Sequence, residues 1–412
     1  MFFSISTKFR REAFLVSETV KIEEGIHWIG VNDFETHLFE SLWPIPRGVS
    51  YNSYILIDEK VVLIDTVKGP FFSAYLDKIK SLLPAGKKVD YLVVNHMEPD
   101  HSGSIKVLRE AFPDMSVVGN EKTMDMLDAF YGVTDNVVRV EDGEELKIGS
   151  KSLRFYMTPM VHWPETMMTL EKTTGVLFSG DAFGGFGALN GGIFDDEVDV
   201  DFFEDEVLRY FSNIVGRYSA MVQKAFEKLK GVDIKVICAT HGPVWRKNPS
   251  RILELYDRWS RQETEEGVVL VYGSMYGNTQ KMMEAVASGL VEGGVEKVRV
   301  HNISTTHISF IIRDIWRYKG LVMGSCTYNM ELFPPMKQLV SAIENRMMKN
   351  HKIGVFGSYT WSGGALKELQ QFASKSKCDQ VGPVIESKSC PTQEDLDKCF
   401  ELGLNMAAAI KS

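Results

Sequence analysis

The alternation of apolar and polar residues follows one rule up to about residue 260 and another beyond it. In the first part, short β-branched or aromatic segments predict strands at 26–31, 49–57, 61–65, 91–94, 116–119, 153–157, 166–170, 175–179 and 235–240. Turn residues such as Asp58-Glu59-Lys60 punctuate them. Apolar residues at near-3.6 spacing predict helices over 71–83, 105–112, 121–130 and 251–262. A polar stretch at 262–267 marks a boundary. After it, Val268-Val269-Leu270-Val271-Tyr272 is almost continuously apolar, as a strand covered on both sheet faces must be. Strands at 297–300, 320–324, 352–357 and 381–384 then alternate with helices at 280–292, 309–317, 335–343, 365–372 and 392–410. That alternation predicts a doubly wound parallel sheet. The expected domains are therefore 1–262 and 263–412.

Composition narrows the function classes. With 412 residues, 44% hydrophobic and 25% charged, the chain can bury sizeable cores. A net charge of -9 argues against a general nucleic-acid binder. Five cysteines without C-x-x-C spacing favour free thiols in a reducing compartment, hence the cytoplasm. No apolar run reaches the ~20 residues of a membrane span. Residues 1–11 lack acidic side chains and leave a short organellar targeting segment open.

The chemistry concentrates just past strand ends. The loop His96-Met97-Glu98-Pro99-Asp100-His101 follows the strand at 91–94, and four of its six residues can ligate a metal. Nitrogen and oxygen donors without cysteine suit iron, zinc or manganese. Alternation along an extended loop aims His96, Glu98 and Asp100 the same way, with His101 adjacent to Asp100, so one loop can feed two metals. Further candidate ligands, His162, Asp181 and His241, end three other predicted strands. Four of the nine histidines fall at these strand ends. Such a pattern fits an αββα sandwich with a two-metal site at one rim.

A second site is legible in the C-terminal part. Ser274, Met275, Tyr276, Gly277, Asn278 and Thr279 lie where a strand gives way to a helix, where backbone N–H groups and the helix dipole favour an anion. No lysine completes a nucleoside-triphosphate loop. Two more strand-end loops offer Ser325, Thr327, Tyr328 and Asn329, and Ser358, Tyr359, Trp361, Gly363 and Gly364. A phosphate loop beside two loops with aromatic faces suits a flat ring bearing one phosphate, which describes FMN, with Tyr328 and Trp361 as stacking candidates.

Both halves together resemble one family, the flavodiiron proteins. The resemblance rests on H-x-E-x-D-H at 96–101, H-W-P-E at 162–165, G-D at 180–181, T-H-G-P at 240–243 and S-M-Y-G-N-T at 274–279. It implies a metallo-β-lactamase-like domain followed by a flavodoxin-like domain, FMN and two non-haem iron ions. By resemblance, one iron is held by His96, Glu98 and His162, the other by Asp100, His101 and His241, and Asp181 bridges them. Glu98 stands where zinc hydrolases of this fold usually carry a histidine, and its extra negative charge stabilises an oxidised iron pair. His101 is the least constant of these ligands in the family. Glu165 can orient a ligand or relay protons. Approximate alignment puts His37 and Phe211 at the substrate pocket.

The resemblance further implies reduction of O₂ to water, of NO to N₂O, or both, with O₂ expected here. Electrons are expected from a separate donor, a rubredoxin or a reductase. A head-to-tail homodimer, or a dimer of such dimers, would bring the flavin of one chain to the metals of the other. Two competing readings remain: a dinuclear zinc hydrolase fused to a flavodoxin module, and a flavin-bearing electron carrier or sensor with a vestigial metal site.

Overall fold

Alternate side chains of the strand Val61–Ile64 enter opposite cores, and this explains the first half of the fold. In the computed structural model, which describes residues 19–411, Val62 and Ile64 face a second sheet, while Val61 and Leu63 face a helical layer. The first sheet has seven strands in the order Val20–Glu23, Ile26–Trp28, Tyr54–Ile57, Val61–Ile64, Tyr91–Val93, Ser116–Gly119 and Val137–Arg139. Pairing is antiparallel up to Val61–Ile64 and parallel beyond it. The second sheet orders Glu145–Lys147, Ser152–Met157, Met167–Glu171, Val176–Gly180 and Val236–Ala239. Inward residues of both sheets, among them Leu56, Ile64 and Val118 with Phe155, Phe178 and Cys238, form one apolar layer. This is the expected αββα sandwich.

The C-terminal half is the expected doubly wound sheet. Parallel strands run in the order Val298–Asn302, Glu265–Gly273, Tyr318–Tyr328, Lys349–Tyr359 and Lys377–Gln380. Helices Asn278–Glu292 and Gln393–Ile410 cover one face, through Met282, Val286, Leu402 and Met406. Helices Ile308–Arg317, Pro334–Asn345 and Ala365–Lys375 cover the other.

The two halves share a core. Phe211 packs against Tyr256, Trp259 and Trp316, and the Trp316 indole N–H donates to the Trp259 carbonyl at 3.0 Å. Arg346 donates to the carbonyls of Ser212 and Asn213 at 2.9 and 3.0 Å. Phe211 thus belongs to the seam between the halves and lines no substrate pocket, because its apolar ring is fully used by three aromatic neighbours.

Four sequence expectations need correction. The strand expected over 26–31 breaks into Ile26–Trp28, in the first sheet, and Val31–Asp33, which pairs with Val49–Tyr51. The strand expected over 49–57 breaks into Val49–Tyr51 and Tyr54–Ile57. At the break, the Asn52 amide donates to the carbonyls of Ala239 and Gly242, and its backbone N–H donates to Thr240. The strand expected at 381–384 falls on the gap between Lys377–Gln380 and Ile385–Lys388. Gly382 adopts φ +73°, and Pro383 follows it without an N–H to donate. The loop at 96–101 is not extended throughout, since Pro99 opens the single helical turn Pro99–Ser102. The targeting segment left open at 1–11 lies outside the described residues. Among these, no helix is long and apolar enough to cross a membrane.

Candidate functional site

The helical turn at Pro99 decides how the ligand loop is shared. It breaks the alternation expected from an extended loop, so Asp100 turns away from His96 and Glu98. Two sets of donors result: His96, Glu98, His162 and Asp181, and beside them Asp100, His101 and His241. Within each set, the donor atoms all lie within 4.8 Å of one another. Asp181 faces both sets. Its Oδ2 lies 3.1 Å from His162 Nε2 and 3.3 Å from His96 Nε2, while its Oδ1 lies 3.0 Å from His101 Nε2.

Partners outside the sets fix the rings. His96 Nδ1–H donates to Glu165 Oε1 at 2.8 Å, and the same oxygen accepts from the Met97 backbone N–H at 2.9 Å. His241 Nδ1–H donates to the Ser50 carbonyl at 2.7 Å. In both rings this tautomer leaves the Nε2 lone pair pointing into the site. Tyr210 donates to Asp181 Oδ2 at 2.9 Å, and the Thr240 hydroxyl donates to Oδ1. Asp65, at φ +50°, accepts from the Asn95 N–H at 2.7 Å and so holds the start of the ligand loop; burial pushes its carboxyl up to about 6.

The electrostatics call for cations. Glu98, Asp100 and Asp181 bring three carboxylates into one largely buried pocket. Burial alone would lower the imidazole pKa values. Nearby carboxylates outweigh it, raising His101 and His162 to about 9 and His96 well above its ordinary value. Both buried oxygens of Asp100 lack a hydrogen-bond donor, yet one lies 3.4 Å from His101 Nε2 and 3.4 Å from His241 Nε2. His101 Nε2 and His241 Nε2 themselves approach to 3.1 Å. Lone pairs and carboxylates converging on common points fit bound metal ions, and this nitrogen and oxygen set fits iron.

Aromatic rings wall the second set: Phe39, Tyr51 and Tyr210 stand 5.3, 5.8 and 5.7 Å from the His241 ring. Outside them is a hollow of about 290 Å³ lined by Phe39, Glu40, Tyr51 and Lys68 beside Glu98 and Asp100. His37 does not line it. Its side chain is exposed, and its carbonyl accepts from the Ile45 N–H, pairing the strands on either side of the turn.

The second site is a cleft of about 290 Å³ outside the carboxyl ends of Glu265–Gly273, Tyr318–Tyr328 and Lys349–Tyr359. Of the expected residues, Ser274, Met275, Tyr276, Asn278, Thr279, Thr327, Tyr328, Asn329, Ser358, Tyr359 and Trp361 line it. Gly277, at φ +90°, turns the chain into the helix Asn278–Glu292, and its N–H donates to Ser274 Oγ at 3.0 Å. The Tyr276 and Trp361 side chains are 91% and 82% exposed, available to a flat ring.

Four expected residues stand off the cleft. Ser325 is buried, with its hydroxyl donating to the Cys326 carbonyl at 2.9 Å. Gly277 acts through backbone shape alone. Gly363 sits against the Glu386 carboxylate. Gly364 lets two loops meet, since a Cβ there would come within 2.0 Å of the Met330 carbonyl. Cys326, Thr360 and Ser362 also line the cleft from within the two expected loops; residues missed by the sequence reading are Met330 and Ser389 in the cleft, and Tyr210 at Asp181. Tyr210 could have been approached through its helix, Val200–Tyr210, which carries an Asp199 N-cap and apolar residues at 200, 203, 207 and 208. Ser389 arrives from beyond a broken strand and had no local signal.

The two halves match two family models, described as ODP family beta lactamase over residues 49–242 and Flavodoxin over residues 270–403. The chain is 35% identical over 403 residues to the nitric oxide reductase of Moorella thermoacetica, covering 96% of this chain and 100% of that protein. Among solved structures it resembles the rubredoxin oxygen:oxidoreductase of Desulfovibrio gigas, with TM-score 0.91 and 30% identity, covering 96% of this chain and 99% of that one. It also resembles the flavodiiron protein of Giardia intestinalis, with TM-score 0.90 and 29% identity, covering 96% and 97% of the two chains. Two domains in the same order, the first with the paired donor sets and the second with the strand-end cleft, and relatives matching along nearly the whole length make this chain a member of the flavodiiron protein family.

Proposed function

We propose that this flavodiiron oxidoreductase reduces dioxygen to water with four electrons, using FMN in the C-terminal cleft and two iron ions at the donor sets. His96, Glu98 and His162 would hold one iron, and Asp100, His101 and His241 the other. Asp181 would be shared between them, and its two oxygens facing separate donor sets are the observation that carries the reading. Two ferrous ions and a reduced flavin together supply four electrons, the number that takes O₂ to two waters without releasing peroxide.

The chain's own residues prepare the site. Glu165 and the Ser50 carbonyl orient His96 and His241. Tyr210 and Thr240 hold the Asp181 carboxylate in place. Phe39, Tyr51 and Tyr210 shield the His241 face from bulk water. In the cleft, the N–H groups opening the helix Asn278–Glu292 would receive the flavin phosphate, and Tyr328 and Trp361 would offer aromatic faces to its ring.

The reading extends to organisation. The domains are 1–262 and 263–412. The protein acts in the cytoplasm as a head-to-tail homodimer or a dimer of such dimers, and takes electrons from a separate donor such as a rubredoxin or a reductase. Reduction of NO to N₂O is the second reading, favoured by the name of the Moorella thermoacetica relative.

Anaerobic stopped-flow oxidation of the fully reduced protein by O₂ and by NO, following flavin and iron absorbance, tests both. Fast oxidation by O₂ without peroxide, with slow oxidation by NO, is the expected result. The opposite ranking makes NO the substrate. Flavin oxidation uncoupled from the metals in both runs would sink the shared chemistry and return the hydrolase reading.

A further inference from the structure

A cavity of about 480 Å³ opens at the seam between the halves, far from the flavin in topological terms. It lies by the amino ends of Lys349–Tyr359 and Lys377–Gln380, whereas the flavin cleft lies at the carboxyl ends of the sheet. Its volume suits a small organic molecule. Ile343, Met348, Ile353 and Phe372 give it an apolar floor.

The rim is strongly cationic. Arg217, Arg346, Lys349, Lys375 and Lys377 line the cavity against a single acidic residue, Glu344. The chain as a whole carries a net charge of -9, so this concentration runs against its composition. Among the described residues none of the five cations forms an ion pair. Arg217 donates to the Asn345 carbonyl. Arg346 donates to the carbonyls of Ser212, Ala342 and Asn213, and burial lowers its pKa to about 10. No carboxylate neutralises this half-buried guanidinium, so its positive charge still acts on an incoming anion although most of its N–H groups are bonded.

We propose that this seam cavity binds an organic polyanion of mononucleotide size, its aromatic or apolar body on the Ile/Met/Phe floor and its phosphate groups among the five cations. Several clustered cations favour several negative charges on one ligand, and the floor favours a ring system over a bare inorganic anion. The Arg346 contacts reach the carbonyls of Ser212 and Asn213, in the same stretch of chain as Tyr210 at the metal site. The site is independent of which gas the metals reduce.

Calorimetric titration of the FMN-loaded full chain with ATP, tripolyphosphate and adenosine tests the proposal. The comparison protein carries Lys375→Glu and Lys377→Glu, two exposed positions whose reversal leaves the folded core intact. ATP is expected to bind, adenosine and tripolyphosphate to bind more weakly, and the double variant to lose at least about tenfold in ATP affinity, with flavin absorbance unchanged throughout. Failure of ATP to bind, or ATP binding that survives the charge reversal, would overturn the site. Tripolyphosphate binding as tight as ATP would overturn its assignment to an organic ligand.

Discussion

The Tyr210 hydroxyl donates to Asp181 Oδ2 at 2.9 Å, joining a helix of the seam to the carboxylate shared by the two donor sets. Both side chains are buried, and Oδ2 is the oxygen that faces His96 and His162. Tyr210→Phe keeps the ring and removes only the donor. Metal affinity or turnover should fall about 10–100-fold, with little change in far-UV dichroism. Iron content after dialysis against a chelator measures it, and an unchanged content together with unchanged turnover would remove Tyr210 from the metal site.

Glu165 is the acceptor that sets the His96 tautomer. Glu165→Ala leaves His96 Nδ1–H and the Met97 N–H without their shared acceptor. Each uncompensated buried donor costs about 1–3 kcal/mol. The variant should bind fewer irons and melt at a lower temperature. Glu165→Gln, which still offers an acceptor oxygen, should recover most of the iron. Equal iron loss in both variants would mean that the negative charge, rather than orientation, is what Glu165 contributes.

Phe211 belongs to the aromatic seam with Tyr256, Trp259 and Trp316. Phe211→Ala should destabilise the chain by about 3–5 kcal/mol, through lost burial and the cavity left behind. Substrate affinity should not change in the protein that remains folded. Chemical denaturation and a KM measurement separate the two effects, and a raised KM with unchanged stability would restore Phe211 to the substrate pocket.

Trp361 is largely exposed at the edge of the flavin cleft. Trp361→Ala should leave the stability of the flavin-free protein within about 0.5 kcal/mol. It should raise the FMN dissociation constant up to about tenfold, the value of one aromatic stacking contact. Fluorescence titration with FMN reads this directly. An unchanged constant would show that the ring stacks elsewhere, with Tyr328 the next candidate.

Asp314 accepts from His301 Nε2 at 2.9 Å and pairs with Arg313 at 2.8 Å. Burial works to raise its carboxyl pKa, but His301 and Arg313 outweigh burial and hold it below the ordinary 3.8. A depressed carboxyl stabilises the fold fully above the unfolded value and loses that contribution as pH falls through the folded one. Asp314→Asn should therefore cost about 1.5–3 kcal/mol at neutral pH. The gap between variant and parent should narrow below about pH 4. Urea midpoints across pH give the comparison, and a gap independent of pH would refute the account.

Much of this protein can be read locally, because its chemistry sits where one element gives way to the next. The loop at 96–101, His162, Asp181 and His241 all follow apolar runs that predict strands, and the glycine-bearing turn at 274–279 stands between a strand and a helix. Both the period of the apolar residues and the donor types are properties of short stretches, so fold class and candidate ligands are legible without long-range information. The same locality explains the errors. Alternation along 96–101 placed Asp100 with His96 and Glu98, and Pro99 turned it toward His101 and His241 instead. Apolar character at 381–384 predicted a strand, and Gly382 and Pro383 broke it.

Tertiary structure alone decided which donors meet. Asp181 reaches both sets because the strand Val176–Gly180, paired between Met167–Glu171 and Val236–Ala239, delivers it to the ligand loop of the facing sheet, against His96 and His101. Tyr210 and the Ser50 carbonyl joined the site from segments with no motif of their own, and Thr240, inside the T-H-G-P motif, turned its hydroxyl onto Asp181. Phe211 went to the aromatic seam, one residue away from a tyrosine that went to the metals. The physical reason is the same in each case. The direction of a side chain follows from the backbone around it, but its partner follows from how the layers pack, and packing minimises buried unpaired charge and empty volume over the whole molecule at once.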